Sequence, residues 1–173
     1  MRLATTWLCC MTAWILAAHA AFGQNSPMSV ALQAGVSYSG WNLALVGQAH
    51  LKDFSVYLGP SVSLNRGLPG RGPIGLDSGV NYHIASKKDW LGSRVNLDYQ
   101  LHFFRPAGAE SAAIHEFYLS YGLEFHVTKS FSLTQQFGYG GYLESNPPVA
   151  GGSGRRNFTG YGGLLRLWAG YRF

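Results

Sequence analysis

The stretch RVNLDYQLHF, residues 94–103, alternates without a break. Val95, Leu97, Tyr99, Leu101 and Phe103 take one face, and Arg94, Asn96, Asp98, Gln100 and His102 take the other. Strict period-two alternation is the mark of a strand with two unlike faces. EFYLSYGLEFHV, residues 116–127, repeats the pattern with Phe117, Leu119, Tyr121, Leu123, Phe125 and Val127 set against Glu116, Tyr118, Ser120, Gly122, Glu124 and His126. VALQAGVSY at 30–38 and FSVYLGPSVSL at 54–64 do the same. Eight such runs follow one another, near residues 28–38, 42–51, 54–64, 74–84, 93–104, 115–127, 130–143 and 158–173. Most have the length that crosses a bilayer as a tilted strand, about ten residues. The second and fourth are the weakest, because Gly and Ser interrupt the alternation in IGLDSGVNYHI.

The connections differ in a regular order. Lys52-Asp53, ASKKDW at 85–90 and TKS at 128–130 are short and carry lysine. NRGLPGRGP at 65–73, RPAGAESAA at 105–113 and ESNPPVAGGSGRRN at 144–157 are longer and rich in Gly, Pro and Arg, and only the connection near Ser39-Gly40 is tight among this second set. Short turns at one end and long loops at the other are the layout of transmembrane barrels. The expected fold class is therefore all-β, an eight-stranded antiparallel up-and-down transmembrane barrel. If the first strand rises from the periplasm, the arginine-bearing loops face outside. A soluble barrel of lipocalin type is the alternative, since it also alternates. The charges at mid-strand on the polar face and the continuous apolar face weigh against it.

Composition agrees. Of 173 residues, 12% are charged, about half the usual share, 14% are aromatic, and mean hydropathy is +0.01. The N-terminus reads as a secretory signal peptide, residues 1–23: Arg2, an apolar stretch from Leu8 to Ala18, and Ala21-Phe22-Gly23 before Gln24, with Ala18-His19-Ala20 as a competing cleavage site. The apolar core is too short to span a bilayer. Leu8 before Cys9 does not fit a lipoprotein signal. Both cysteines, Cys9 and Cys10, fall in the leader, so the barrel, residues 24–173, is expected to be stable without disulfides. Loss of Arg2 takes the formal charge from +5 to +4.

In the last run Leu165, Leu167, Ala169, Tyr171 and Phe173 share one face, with Arg166, Trp168 and Arg172 on the other. A closed barrel pairs its last strand with its first, so Phe173 is expected to be a strand residue. This terminal pattern resembles the C-terminal insertion signal of outer-membrane barrels, which implies the barrel-assembly machinery as a partner during insertion. Residues 24–173 as a whole resemble the small eight-stranded outer-membrane proteins, the OmpX family and the membrane domain of OmpA. The aromatic density and long Gly/Pro loops are also similar to those of uncharacterised Bacteroidetes barrels. The resemblance implies a bacterial outer-membrane location, with lipid and lipopolysaccharide as neighbours. The lack of a trailing periplasmic domain speaks against peptidoglycan anchoring.

Aromatic rims are expected at Trp41, Phe103, Phe117, Tyr139 and Tyr161 outside and at Trp90, Phe125, Phe131 and Phe173 inside. The inward face carries Asp77, His83, Arg94, Asp98, His102, Glu116, Glu124, His126, Arg166 and Arg172. An eight-stranded barrel is just wide enough to be filled by its own side chains, and buried charges there must be paired. Antiparallel register is expected to bring Arg94 near Glu124 and His126, and to leave Arg166 free to meet Asp98 or Glu116. Arg66, Arg71, Arg105, Arg155 and Arg156 lie in the expected outer loops and suit bidentate pairing with lipopolysaccharide phosphates; ordinary solubilising charge is the competing reading. Some small outer-membrane barrels modify lipid A with a Ser/His/acid set at one rim, and Ser111, His115, Glu116 and His102 supply the residue types. A narrow pore is a further alternative. No metal-ligand spacing, phosphate-cradling loop or basic helical run is present, so no cofactor, metal or nucleic acid is expected.

Overall fold

The computed structural model describes residues 27–64, 74–84, 86, 88–104, 112–146 and 156–173. The signal-peptide segment and its boundary at residue 24 lie outside them. Eight strands follow in order: β1 (Met28–Ser37), β2 (Gly40–Leu51), β3 (Phe54–Ser63), β4 (Ile74–Ile84), β5 (Leu91–Phe104), β6 (Ala112–His126), β7 (Phe131–Asn146) and β8 (Arg156–Arg172). Each pairs antiparallel with the next, and β8 pairs with β1 to close the ring. The seam runs from Ser29 opposite Arg172 to Val36 opposite Leu165. Beyond it the Phe173 amide donates to the Met28 carbonyl at 3.0 Å, so the final residue is still tied to the first strand.

The interrupted runs are full members of the wall. β4 pairs through Gly75, Ser78 and Gly79 on both sides, because backbone pairing needs no particular side chain. The strands near the long loops extend further than the alternation indicates. β6 starts at Ala112 instead of 115 and β7 reaches Asn146 instead of 143, with Ala113 opposite Ser145 and Asn146 opposite Arg156. Above the apolar band the outer face has no need to be apolar, so pairing outlasts the pattern. At the other end Lys52 turns the two-residue β2–β3 connection with φ 53°, the left-handed region.

The barrel is polar inside and apolar outside. Leu97 is 60% exposed while its neighbour Asp98 is 0% exposed. Leu119, Phe137, Leu165 and Leu167 are exposed on the same outer surface, whereas Gln100, Gln136, Glu116 and Arg166 are buried. A soluble lipocalin-type barrel has the opposite arrangement, so that alternative is overturned. The outer surface carries Trp41, Phe103, Phe117, Tyr139 and Tyr161 exposed on strands near the long-loop end. Trp90, Phe125 and Phe173 are exposed at the short-turn end, where Phe131 is half-buried. Trp90 and Phe125 stack with ring centres 6.4 Å apart. Such aromatic girdles mark the two interfaces of a spanning barrel.

Candidate functional site: a layered lumen

The sequence groups the inward charges as one network. The structure separates them into three layers.

The middle layer is centred on Arg166. Its Nη2 lies 3.3 Å from Asp77 Oδ2 and its Nη1 3.5 Å from Asp98 Oδ1. Arg166 comes from β8, Asp77 from β4 and Asp98 from β5, so the pairs cross the full width of the ring. Asp98 also accepts hydrogen bonds from the Tyr57 and Ser120 hydroxyls and from Gln136 Nε2, the last at 2.6 Å. Gln136 in turn accepts from Trp168 Nε1 at 2.6 Å. Trp168 meets Tyr57 edge-on, with ring centres 5.0 Å apart. Paired carboxylates and bulky rings fill the lumen at this height, as the narrow bore of an eight-stranded barrel requires. Charges this deep persist only with partners in place.

Toward the long loops, Glu116 meets a different set from the Arg166 contact that the sequence suggests. Tyr118 donates to its Oε2 and the Ser39 amide to its Oε1 at 3.1 Å. Ser37, Ser39 and Asn42 bond to one another beside it. Tyr38, predicted as the end of β1, lies in the turn instead. It stacks on Tyr142 with ring centres 3.4 Å apart and donates to Glu144 at 2.9 Å. Burial and that hydrogen bond raise the Tyr38 phenol well above its ordinary value, so it remains a neutral donor.

The third layer lies at the short-turn end. Register sets Arg94 opposite Gly122 and His83, and Glu124 opposite Gly92. Arg94, Glu124, His126 and Arg172 line one cavity there, yet no ion pair joins Arg94 to Glu124 among the described residues. Glu124 is instead 3.9 Å from His83 Nδ1. Register thus brings Arg94 near Glu124 and His126, as expected, without an Arg94–Glu124 ion pair: side-chain direction decides which residues on one face meet. The Arg94 guanidinium lies 4.2 Å from the Trp168 ring centre.

The described members of the lipid A set do not converge. His115 lies on the outer face, its Nδ1 2.8 Å from the Tyr99 hydroxyl, while Glu116 points into the lumen. Adjacent strand residues take opposite faces, so the two cannot serve one nucleophile. His102 is buried in the lumen near Gln100, and Ser111 lies outside the described residues. So do Arg66, Arg71, Arg105 and Arg155. Of the loop arginines Arg156 is among the described residues, at the first position of β8. Among the described residues no group of three or more His, Cys, Asp or Glu side chains is placed to share a metal ion.

Tyr57, Tyr118, Gln136 and Trp168 are not singled out by sequence reading. A signal for them exists: large rings on the polar face with glycine across the ladder. A Cβ at Gly79 would stand 2.6 Å from the Tyr57 ring, and one at Gly160 2.5 Å from the Tyr142 hydroxyl. These glycines make room for inward aromatics, a close-approach role.

No protein-family model and no curated protein matches the chain. Among solved structures it is similar to the N-terminal β-barrel domain of Pseudomonas aeruginosa OprF, with TM-score 0.60 and 10% identity over 85% of this chain and 97% of that one. Neisserial surface protein A aligns at TM-score 0.49 and 13% identity, over 86% of this chain and 96% of that one. A major outer membrane protein of Thermus thermophilus aligns at 0.47 and 15%, over 86% and 100%. At these identities the likeness is one of fold, and the OprF domain carries it. Closed ring, polar lumen, apolar outer surface and this likeness together give the chain the fold of the small eight-stranded outer-membrane barrels.

Proposed function

We propose that this protein is a non-enzymatic barrel of a bacterial outer membrane, with a structural or adhesive role exercised through its long loops. One observation carries the reading: the Arg166–Asp77–Asp98 cluster spans the lumen at mid-height. A lumen blocked by paired charges and rings leaves the loops and the lipid-facing wall as the surfaces for work. The opposed directions of His115 and Glu116 support the non-enzymatic reading.

The loops are proposed to contact lipopolysaccharide. Arg66, Arg71, Arg105, Arg155 and Arg156 fall in the long connections of the sequence, and the arginine fork matches phosphate oxygens bidentately. The protein inserted in planar bilayers is expected to show no steady conductance. Lipopolysaccharide is expected to co-purify with it, and to do so less when Arg155 and Arg156 are both changed to alanine. Stable open-channel currents would replace this reading with a narrow pore. Unchanged co-purification in the double variant would remove the lipopolysaccharide contact.

A further inference from the structure

We propose that the short-turn mouth of the lumen is a binding site for a phosphate group, with Arg94 at its floor. The proposal needs only the barrel fold and is independent of what the outer loops contact.

The site is a cavity of about 70 Å³. That is room for a few water molecules or one compact oxyanion. Trp168 lines the cavity beside Arg94, its ring centre 4.2 Å from the Arg94 guanidinium and 5.8 Å from that of Arg166. Beyond Trp168 lies the Arg166 cluster, so the cavity is a dead end rather than a channel.

Arg94 is 2% exposed, and its Nε and Nη2 atoms have no hydrogen-bond partner among the described residues. A buried guanidinium with free donors is costly unless an anion or water meets it. The local backbone holds it there. Gly122, across the ladder, offers no side chain, and a Cβ on it would stand 3.2 Å from Arg94 Cγ. The exposed side chains of Lys129 and Arg172 also line the cavity, together with Glu124, His50 and His126. Three permanent cations and one carboxylate thus line the cavity, and that carboxylate lies 3.9 Å from His83 Nδ1. His50 is held by the Ser29 hydroxyl at 2.9 Å. The hydroxyls of Ser132 and Thr134 also line the space and add neutral donors.

This arrangement selects by chemistry. A monovalent carboxylate would balance only part of the excess positive charge. A phosphate group can take a second negative charge, and three of its oxygens can accept from the Arg94 fork, the outer cations and the hydroxyls together. The ligand is therefore inorganic phosphate or a phosphomonoester whose remainder projects out of the mouth.

The test is calorimetric titration of the whole protein, purified in a non-ionic detergent without phosphate. The probes are inorganic phosphate, glycerol 3-phosphate and acetate. Saturable one-to-one binding of either phosphate is expected, with acetate far weaker. A preference for glycerol 3-phosphate identifies a phosphomonoester as the source, and a preference for inorganic phosphate identifies the free ion. Arg94→Gln is expected to weaken binding about tenfold or more, the loss of a charge-assisted pair of hydrogen bonds. Glu124→Gln is expected to tighten it several-fold by removing the competing carboxylate. Heat-modifiable migration on gels reports whether each variant is folded. If Arg94→Gln does not fold, Glu124→Gln and the mouth variant Arg172→Gln decide, the second being expected to weaken binding. The proposal is overturned by absence of saturable phosphate binding, by acetate binding as tightly, by unchanged affinity in folded Arg94→Gln, or by unchanged affinity in both other variants.

Discussion

Two arginines stand near one tryptophan, and their surroundings differ. Arg166 has a carboxylate on each of two strands and the Tyr57 hydroxyl at 3.3 Å. Arg94 has the face of Trp168 and no ion pair among the described residues. Both are buried to the same degree, 2% exposed. The same residue type therefore does two jobs in one lumen. The paired arginine joins opposite walls. The unpaired one is held ready for something that is not protein. The difference teaches that burial and charge alone do not define a structural ion pair; the partner must come from a strand whose register and side-chain direction bring it close.

The largest expected effect comes from breaking the paired side. Arg166→Met would leave Asp77 and Asp98 buried without their cation and is expected to cost about 3–5 kcal/mol. The measurement is the urea midpoint of the heat-modifiable band. Adding Asp77→Asn and Asp98→Asn should return most of the loss, since an uncompensated charge is worse than a neutral polar core. A single variant as stable as the parent would show that the cluster does not tie the walls together.

Asp98→Asn alone should cost about 2–4 kcal/mol. It turns an acceptor of three hydrogen bonds and an ion pair into a group that must also donate. Trp168→Phe removes the donor to Gln136 and shrinks the ring that Arg94 packs on, with an expected cost of about 1–2 kcal/mol. Equal stability of Trp168→Phe and the parent in the same urea titration would leave the two layers uncoupled.

Arg94→Met should have the smallest effect, under about 1 kcal/mol, and stabilisation is within the expected range because no ion pair is lost. A cost similar to that of Arg166→Met would erase the contrast and make Arg94 a structural residue. These unfolding midpoints need no ligand, so they separate the architecture of the lumen from the phosphate proposal.

Much of this was readable in the chain. The alternation at 94–103 and 116–127 set which side chains face in, because strand geometry leaves successive residues no other choice. The unequal connections set the two ends of the barrel. The choice between membrane and soluble barrel rested on which face is buried, and that needed closure of the ring: Leu97 and Asp98 are equally good candidates for a core until the wall curves. The lumen contacts were less legible. Asp77 and Arg166 are 89 positions apart and meet only because β4 and β8 lie on opposite sides of the eight-strand ring. Glu116 sits one place from His115, yet the two are on opposite sides of the wall. Tyr57 and Trp168 looked like ordinary aromatics on a polar face, since nothing local shows that the glycines across from such rings make space for them.

The sequence by itself determined the number of strands, the face each residue takes and the end of the barrel each connection occupies. These follow from periodicity, which is a property of neighbours along the chain. Only the tertiary structure decided which buried charges meet and that Arg94 is left with Trp168 and an open cavity. Those depend on distances across a closed ring, and such distances are set by shear and side-chain direction rather than by spacing in the chain.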